Sequence, residues 1–468
     1  MAGEIFLNKE LESFKKKIKG KKAAVLGFGV SNRPLAKTIV KWGADVTVFD
    51  RKSEENFPMI SEYREMGIKF SLGEGYLENL KGFDIIFRTP GMRFDIPEIQ
   101  RELANGAELT SEMEVFMEVC PAKTYAVTGS DGKTTTTTLI YEMLKQEGYR
   151  CFLGGNIGTP LIDRIEEIDG DDRVVLELSS FQLMTMKNSP NVAVITNITP
   201  NHLDVHKSME EYIDAKKNIF RYQTESDRVV LNYDNAITRS FIPEVNGKLL
   251  LFSIKEECTS GAFLKGNRIF YREDNTETEI LPIEEIKLPG MHNVENCLAA
   301  ISAVMPEVSR ESIIHVAKTF SGVEHRIEFV RTVNGVSFYN DSIGSSPTRT
   351  AATLKSFKDR VILIAGGYDK KLSYDELAET IHAKVKCMVL MGDTADKIET
   401  AYRNFARKEN IEPVPVIRVK NMEEAVNAAY GIARSGDIVV LSPASASFDM
   451  YANFMERGNH FKEIVRHL

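Results

Sequence analysis

Residues 123–135 read Lys-Thr-Tyr-Ala-Val-Thr-Gly-Ser-Asp-Gly-Lys-Thr-Thr, a short apolar strand running into a glycine loop that closes on Lys133 and Thr134. Glycines at 129 and 132 let the backbone turn sharply and aim its N–H groups at phosphate oxygens. A helix opening near Thr134 presents the positive end of its dipole to the same anion. Lys133 brings a point charge, and the Thr134 hydroxyl suits Mg²⁺. Only two residues separate Gly129 from Gly132, a tighter spacing than the usual G-x-x-x-x-G-K-[ST] loop. The loop Gly129, Ser130, Asp131, Gly132, Lys133, Thr134 and Thr135 therefore reads as a seat for a triphosphate. It names a nucleotide and no reaction.

Outward from this loop, strand-like runs alternate with helical patterns along the whole chain, which points to α/β units with parallel sheets. Three blocks without internal repeat are expected as domains, at residues 1–110, 111–321 and 322–468. The first opens with a β run over Lys22–Gly29, a helix from about Arg33 to Trp42 and a strand Asp45–Phe49 ending in Asp50, which resembles half of a dinucleotide-binding fold. Its strand Phe83–Phe87 enters Arg88-Thr89-Pro90-Gly91, the kind of loop at which open α/β sheets place ligands. The second block continues past the phosphate loop with strands at Val174–Leu178, Val192–Thr196 and Arg228–Asn232 and an amphipathic helix over Met209–Tyr222. Short strands and turns fill residues 247–289. The third block repeats the strand-then-loop theme at Val336–Asp341, Val361–Gly367, Cys387–Gly392 and Ile438–Ser442. The expected fold class is α/β in three domains: Rossmann-like at both ends, with a P-loop-type ATPase centre on a mainly parallel sheet.

The 468 residues suffice for two to four domains with full cores. A formal net charge of −8 argues against a nucleic-acid footprint and against a polybasic membrane anchor. Five cysteines, odd in number and without a C-x-x-C pair, indicate neither a disulfide framework nor a zinc site. The N-terminus lacks the apolar core of a signal peptide, and no apolar run approaches ~18 residues. A cytoplasmic protein that stays out of the membrane is expected.

Glu177 lies at the exit of a strand that reads as buried on both faces, where a lone charge is costly. Either a structural Lys or Arg, or Mg²⁺ beside the nucleotide loop, would answer it. The hydroxyls of Ser179 and Ser180 suit helix capping. The next strand leads into Thr196-Asn197-Ile198-Thr199-Pro200-Asn201-His202-Leu203-Asp204, which makes His202 a candidate ligand; His206 lacks that support. On the helix that follows, Lys216 comes four residues after Tyr212 and four before Phe220, on the apolar stripe, whereas Lys217 points elsewhere. Desolvation lowers the pKa of such an amine, and a neutral amine attacks CO₂ to form a carbamate, a carboxylate able to bind a second Mg²⁺. A packed stem with its ammonium reaching out to water satisfies the same pattern. In the third block Arg326 offers a planar cation for phosphate or carboxylate. Asp341 ends a strand and suits ribose hydroxyls, Lys370 suits a carboxylate, and Ser447 sits in a small-residue loop open to a compact ligand.

With Gly154-Gly155-Asn156-Ile157-Gly158, Leu288-Pro289-Gly290-Met291-His292-Asn293-Val294-Glu295-Asn296 and the segment Ser447–Gly458, these motifs strongly resemble the Mur ligase family over nearly the whole chain. The resemblance implies an ATP-dependent ligase of peptidoglycan precursor synthesis, joining UDP-N-acetylmuramoyl-L-alanine to D-glutamate. It further implies two Mg²⁺ ions, a carbamylated Lys216, a monomeric state, and no nucleic-acid or membrane partner. Lys133, Glu177, His202 and Lys216 are the implied catalytic set. Lys133 and Thr134 would hold phosphates and metal, Glu177 the first ion, and His202 with carbamylated Lys216 the second. Asn296 would lie at the adenine, Arg326 at a phosphate and Asp341 at the nucleotide. Asn156 would touch the muramoyl-peptide end, and Lys370, Ser447 and Phe454 would cradle D-glutamate. In the first block Gly29, Ser31, Asp50, Arg51 or Lys52, and Thr89 would bind the UDP part.

Two departures qualify the match. The first glycine motif reads Gly27-x-Gly29-x-x-Asn32, with Asn where a dinucleotide binder wants Gly for close helix packing. Where many relatives read Asn-Asp-Ser-Lys, this chain reads Asn340-Asp341-Ser342-Ile343, and Arg349 is the candidate to replace the missing charge. Rival readings are a sibling or folate ligase, an NAD-dependent oxidoreductase built on the first block, and a nucleotide-gated binding protein without chemistry.

Overall fold

The computed structural model describes residues 8–199, 206–305, 307–370 and 372–468. The chain forms two compact units, Met1–Phe320 and Ser321–Leu468. The first unit carries two sheets and the second carries one, all of them largely parallel, in the α/β class expected.

The first sheet has five parallel strands, in spatial order Lys69–Leu72, Asp45–Asp50, Lys22–Leu26, Ile85–Arg88 and Glu108–Thr110. The chain winds away from Lys22–Leu26 in both directions, so a crevice opens at the carboxyl end of that strand, where ligands of such sheets bind. Gly27, Asp50 and Thr89 all stand at that edge. Asn32, which breaks the glycine pattern, is 1% exposed, and its amide donates to the carbonyls of Leu26 and Gly27 at 3.0 Å each. Close packing is thus achieved by hydrogen bonds to the loop rather than by absence of a side chain.

The second sheet places Lys123–Thr128 between Arg173–Glu177 and Val192–Ile195, with Cys151–Gly155 at one edge. Beyond Val192–Ile195 it continues in parallel through Arg228–Asn232, Lys248–Ser253 and Gly261–Lys265. It then ends in two antiparallel strands, Arg268–Glu273 and Thr276–Pro282. The inner strands are near-continuous apolar runs because helices cover both faces. One apolar core runs from the helix Lys9–Ile18 through the first sheet to Ala126 and Leu176 of the second and Ile219 of the helix Met209–Arg221, so the two sheets share an interior. The helix Lys133–Gln146 contains five consecutive threonines, poor helix formers for their β-branching. Its support is tertiary: Thr134, Thr136 and Thr137 are buried, and it packs on the helix Met291–Val304.

The third sheet, in order Glu328–Val333, Val336–Asn340, Ile438–Leu441, Val361–Ala365, Val385–Leu390 and Val416–Arg418, is parallel except for its first strand. Separate apolar cores fill its two faces. Among the described residues no helix is long and apolar enough to cross a membrane.

Candidate functional site

The phosphate-loop geometry begins at Gly129, whose φ is +151°, and Gly132, whose φ is +79°. A Cβ on Gly129 would stand 1.9 Å from Thr196 Oγ1 and one on Gly132 2.2 Å from Asn296 Oδ1, so neither position admits a side chain. Gly132 precedes the helix Lys133–Gln146 without giving it a side-chain cap, leaving that end to an anion. The loop is held from below by the segment after Val192–Ile195. Ser130 N–H donates to Asn197 O at 2.9 Å, Asp131 N–H donates to Asn197 Oδ1 at 2.9 Å, and Thr196 Oγ1 donates to Asp131 O at 2.6 Å. Lys133 folds back over the loop and donates to the carbonyls of Gly129 (3.0 Å) and Ser130 (2.9 Å).

Glu177 is 2% exposed at the end of its strand, and its carboxylate is divided between two predicted residues. Thr134 Oγ1 donates to Glu177 Oε2 at 2.6 Å, and Asn156 Nδ2 donates to Glu177 Oε1 at 2.7 Å. No structural Lys or Arg pairs with it among the ion pairs of the described residues. The cluster instead offers hard oxygen donors, of the kind Mg²⁺ takes. Among the described residues there is no group of three His, Cys, Asp or Glu side chains able to hold a metal alone. His202 lies outside the described residues.

Lys216 is 1% exposed. Its amine donates to Gly129 O at 2.9 Å and to Thr128 Oγ1 at 3.2 Å, and lies 4.8 Å from the centre of the Tyr212 ring. It does not reach water, so the outward-pointing alternative is not what the fold adopts. Burial above all, and then the charge of Lys133, hold its pKa well below the ordinary lysine value, against the opposing pull of Glu177. Asn296 closes the far side of the loop: its Oδ1 accepts from Thr136 Oγ1 at 3.3 Å and its amide donates to Asn293 Oδ1 at 3.2 Å.

In the first sheet Asp50 organises the crevice, accepting Phe28 N–H at 2.7 Å and Lys52 N–H at 2.8 Å on its two oxygens. Arg51 is exposed beside it. Thr89 N–H donates to Leu26 O at 3.1 Å. Ser31 precedes the helix Asn32–Lys41 without capping it through its side chain.

In the second unit Asp341 is 2% exposed, and its Oδ2 accepts from Thr353 and Ser442 hydroxyls at 2.7 Å each. Burial pushes its pKa up to about 6, opposed by those hydroxyls, by Ile327 N–H and by Arg326. This carboxylate therefore faces inward. Arg326 sits between two non-glycine residues of left-handed backbone, His325 (φ 64°) and the β-branched Ile327 (φ 46°), strain of the kind that fold contacts must hold in place. Arg349 donates to Ile343 O at 3.5 Å. Tyr368 N–H donates to Ala446 O at 3.0 Å, which brings the loops bearing Lys370 and Ser447 side by side. Ser447 is buried and Phe454 half-buried, the latter edge-on to His325 at 5.9 Å.

Three side chains that matter here escape sequence reasoning. Tyr212 is 1% exposed; its hydroxyl lies 3.0 Å from Ser130 Oγ and its ring lies under Lys216. His206, set aside from sequence, is buried, 2.9 Å from Ser180 Oγ and stacked 5.2 Å from Phe181. Arg457 is wholly buried and ties Ser342 to the carbonyls of Ser445 and Ala446, fixing the loop that carries Ser447.

Residues 127–304 match the Mur ligase middle domain, and residues 325–445 match the Mur ligase glutamate ligase domain. A UDP-N-acetylmuramoylalanine–D-glutamate ligase of Acetivibrio thermocellus is 61% identical over 461 residues, covering 98% of this chain and 99% of that protein. One of Ruminiclostridium cellulolyticum is 55% identical over 464 residues, covering 99% and 100%. Among solved structures, the UDP-N-acetylmuramate–alanine ligase of Thermotoga maritima shares the fold with a TM-score of 0.54 at 20% identity, covering 96% of this chain and 99% of that one.

Proposed function

This chain belongs to the Mur ligase family, and from that membership we propose that it joins UDP-N-acetylmuramoyl-L-alanine to D-glutamate at the expense of ATP. The observation that carries the reading is the convergence of Thr134, Asn156 and Glu177 at one buried carboxylate beside the phosphate loop. The loop and Lys133 bind the triphosphate, and Lys133 exchanges the carbonyls of Gly129 and Ser130 for phosphate oxygens. Asn156 orients the alanyl carboxylate of the first substrate. That carboxylate oxygen attacks the terminal phosphorus, ADP leaves, and an acyl phosphate forms. The amine of D-glutamate then attacks the acyl carbon; inorganic phosphate departs, and the amine gives up a proton as the amide forms.

Two Mg²⁺ ions, when bound, supply neutralisation of the charge that two colliding anions build up. Thr134 and Glu177 would hold one; His202 and a carbamylated Lys216 would hold the other. The desolvated Lys216 amine supports the carbamate, because the nucleophile toward CO₂ is the neutral form.

We assign residues 1–110 to the UDP part, through Gly29, Ser31, Asp50, Arg51 and Thr89, and residues 111–321 to ATP. Residues 322–468 take D-glutamate through Lys370, Ser447 and Phe454. Arg326 and Asn296 contact the nucleotide. Asp341 supports that contact from inside, since its carboxylate is buried against Thr353 and Ser442. The enzyme works as a cytoplasmic monomer. Offering D-glutamate, L-alanine, L-lysine and meso-diaminopimelate in turn tests the reading: ADP forms with D-glutamate and UDP-N-acetylmuramoyl-L-alanine together. Turnover with another of these amino acids in preference would overturn it.

A further inference from the structure

We propose that a cavity of about 1090 Å³ between the helices Lys9–Ile18 and Asn32–Lys41 and the short helix Ile162–Glu167 is a second binding site, for a small organic molecule carrying two or more phosphate groups. It contains none of the residues assigned above to ATP, D-glutamate or UDP, and it does not rest on that assignment.

Charge is the first argument. Six Lys and Arg side chains line the cavity against two carboxylates, Asp163 and Glu166, on a chain whose formal net charge is −8. Basic residues at helix C-termini commonly do no more than answer the dipole, and two helices end here, at Lys19 and Trp42. Each end presents roughly half a negative charge, about one in all, less than the three lining lysines that form no ion pair among the described residues.

Pairing is the second. Lys15 is engaged by Glu12 and Glu166, Lys37 by Glu62, and Arg164 by Glu167. Lys16, Lys19 and Lys41 form no ion pair among the described residues, although they come from the ends of two different helices and converge on one cavity. An ordinary solvated lysine face is convex. Here the three lysines line a volume of about 1090 Å³, just above the roughly 300–1,000 Å³ of small-molecule pockets.

The third argument is the apolar wall. Trp42, half-buried with one side edge-on to Phe14 at 5.9 Å, lines the cavity together with Pro34 and Tyr63. Point-charge ammonium groups around an aromatic wall suit phosphates attached to an organic body. The rim also reaches Val30, which lies within the loop assigned to UDP, between Gly29 and Ser31, so the two sites must be told apart.

Trp42 is the only tryptophan in the chain, so its fluorescence reports this cavity alone. Titrating the full-length protein with inorganic tripolyphosphate at fixed ionic strength should give a saturable change in indole emission. Lys19→Gln with Lys41→Gln should weaken that binding about tenfold or more, through loss of two nearby charges, as should Lys16→Gln tested separately. Lys133→Ala, which cripples the ATP loop, should leave it unchanged. The proposal is overturned if emission does not change, if potassium chloride of equal ionic strength reproduces the change, if the lysine variants bind as the parent does, or if UDP-N-acetylmuramoyl-L-alanine displaces the probe competitively.

Discussion

Lys216 concentrates the chemistry of the middle domain in one side chain. It is fully desolvated, donates to the first carbonyl of the phosphate loop and rests over Tyr212. The proposed carbamate requires this amine, so Lys216→Ala should lose most of its activity. Bicarbonate should not restore it, whereas a small added carboxylic acid should in part; equal turnover of variant and parent would remove the carbamate from the account. Tyr212→Phe is the subtler test. It keeps the ring under Lys216 and deletes the hydroxyl on Ser130, a hydrogen bond worth about 1 kcal/mol. We expect a raised KM for ATP with modest loss of stability, read from initial rates and a urea transition. Helical spacing put Lys216 on an apolar stripe but left open whether its amine reached water; the family resemblance supplied the buried reading. Arg88 and Arg457 were not: a buried guanidinium satisfied by carbonyl oxygens, such as those of Pro90, Met92 and Phe181 around Arg88, leaves no signature that separates it from a surface arginine.

At the scale of elements, the helix Glu112–Val119 sets dipole against burial. Its Ser111 cap accepts from Glu114 N–H at 3.2 Å, and two acidic residues in the first turn suit the helix end. Desolvation nevertheless wins. It pushes Glu112 up to about 8, with Asp163 adding to the rise and Ile162 N–H opposing it. Glu114 is pushed up to about 7, against hydrogen bonds from Ser111 and Thr185 and the charges of Arg88 and Lys187. Carboxyls with raised pKa values in the folded state bind more protons there than when unfolded. Their contribution is therefore most favourable below about pH 4.5, the ordinary glutamate value, and is lost as pH rises through 7 and 8. Glu112→Gln should flatten this slope and raise the unfolding free energy at pH 8 by on the order of 2–4 kcal/mol relative to the parent, read from urea transitions; a parent midpoint independent of pH between 5 and 8 would contradict it. Core strands and the helices Asn32–Lys41 and Met209–Arg221 were readable from periodicity, with helix ends shifted by one residue. The edge strands Glu328–Val333 and Val416–Arg418 were not. The first follows a left-handed turn at Ile327, and the second is three residues long, with no full period to read.

For the molecule as a whole, three domains were expected; the described residues form three sheets in two compact units, and the cores of those sheets do not divide alike. The first sheet shares one interior with the second, whereas the third is filled on both faces by side chains of its own unit. A fragment spanning Ser321–Leu468 should therefore melt cooperatively, as followed by circular dichroism. A fragment of residues 8–110 should not, because its face toward Phe116, Ile162 and Ile165 would be stripped bare. The opposite pair of results would mean that the shared core contributes little. Sequence could not show this sharing, since alternation reports that a face is buried and not against what. It also placed Asp341 at the nucleotide without revealing that its carboxylate is turned inward to Thr353 and Ser442.

The acyl phosphate is the step on which this division of labour depends, and the path of one oxygen atom tests it most directly. UDP-N-acetylmuramoyl-L-alanine labelled with heavy oxygen in its alanyl carboxylate, incubated with ATP and D-glutamate, should deliver one labelled oxygen to each inorganic phosphate released, measured by mass spectrometry. Unlabelled phosphate, or label found in AMP, would contradict the account.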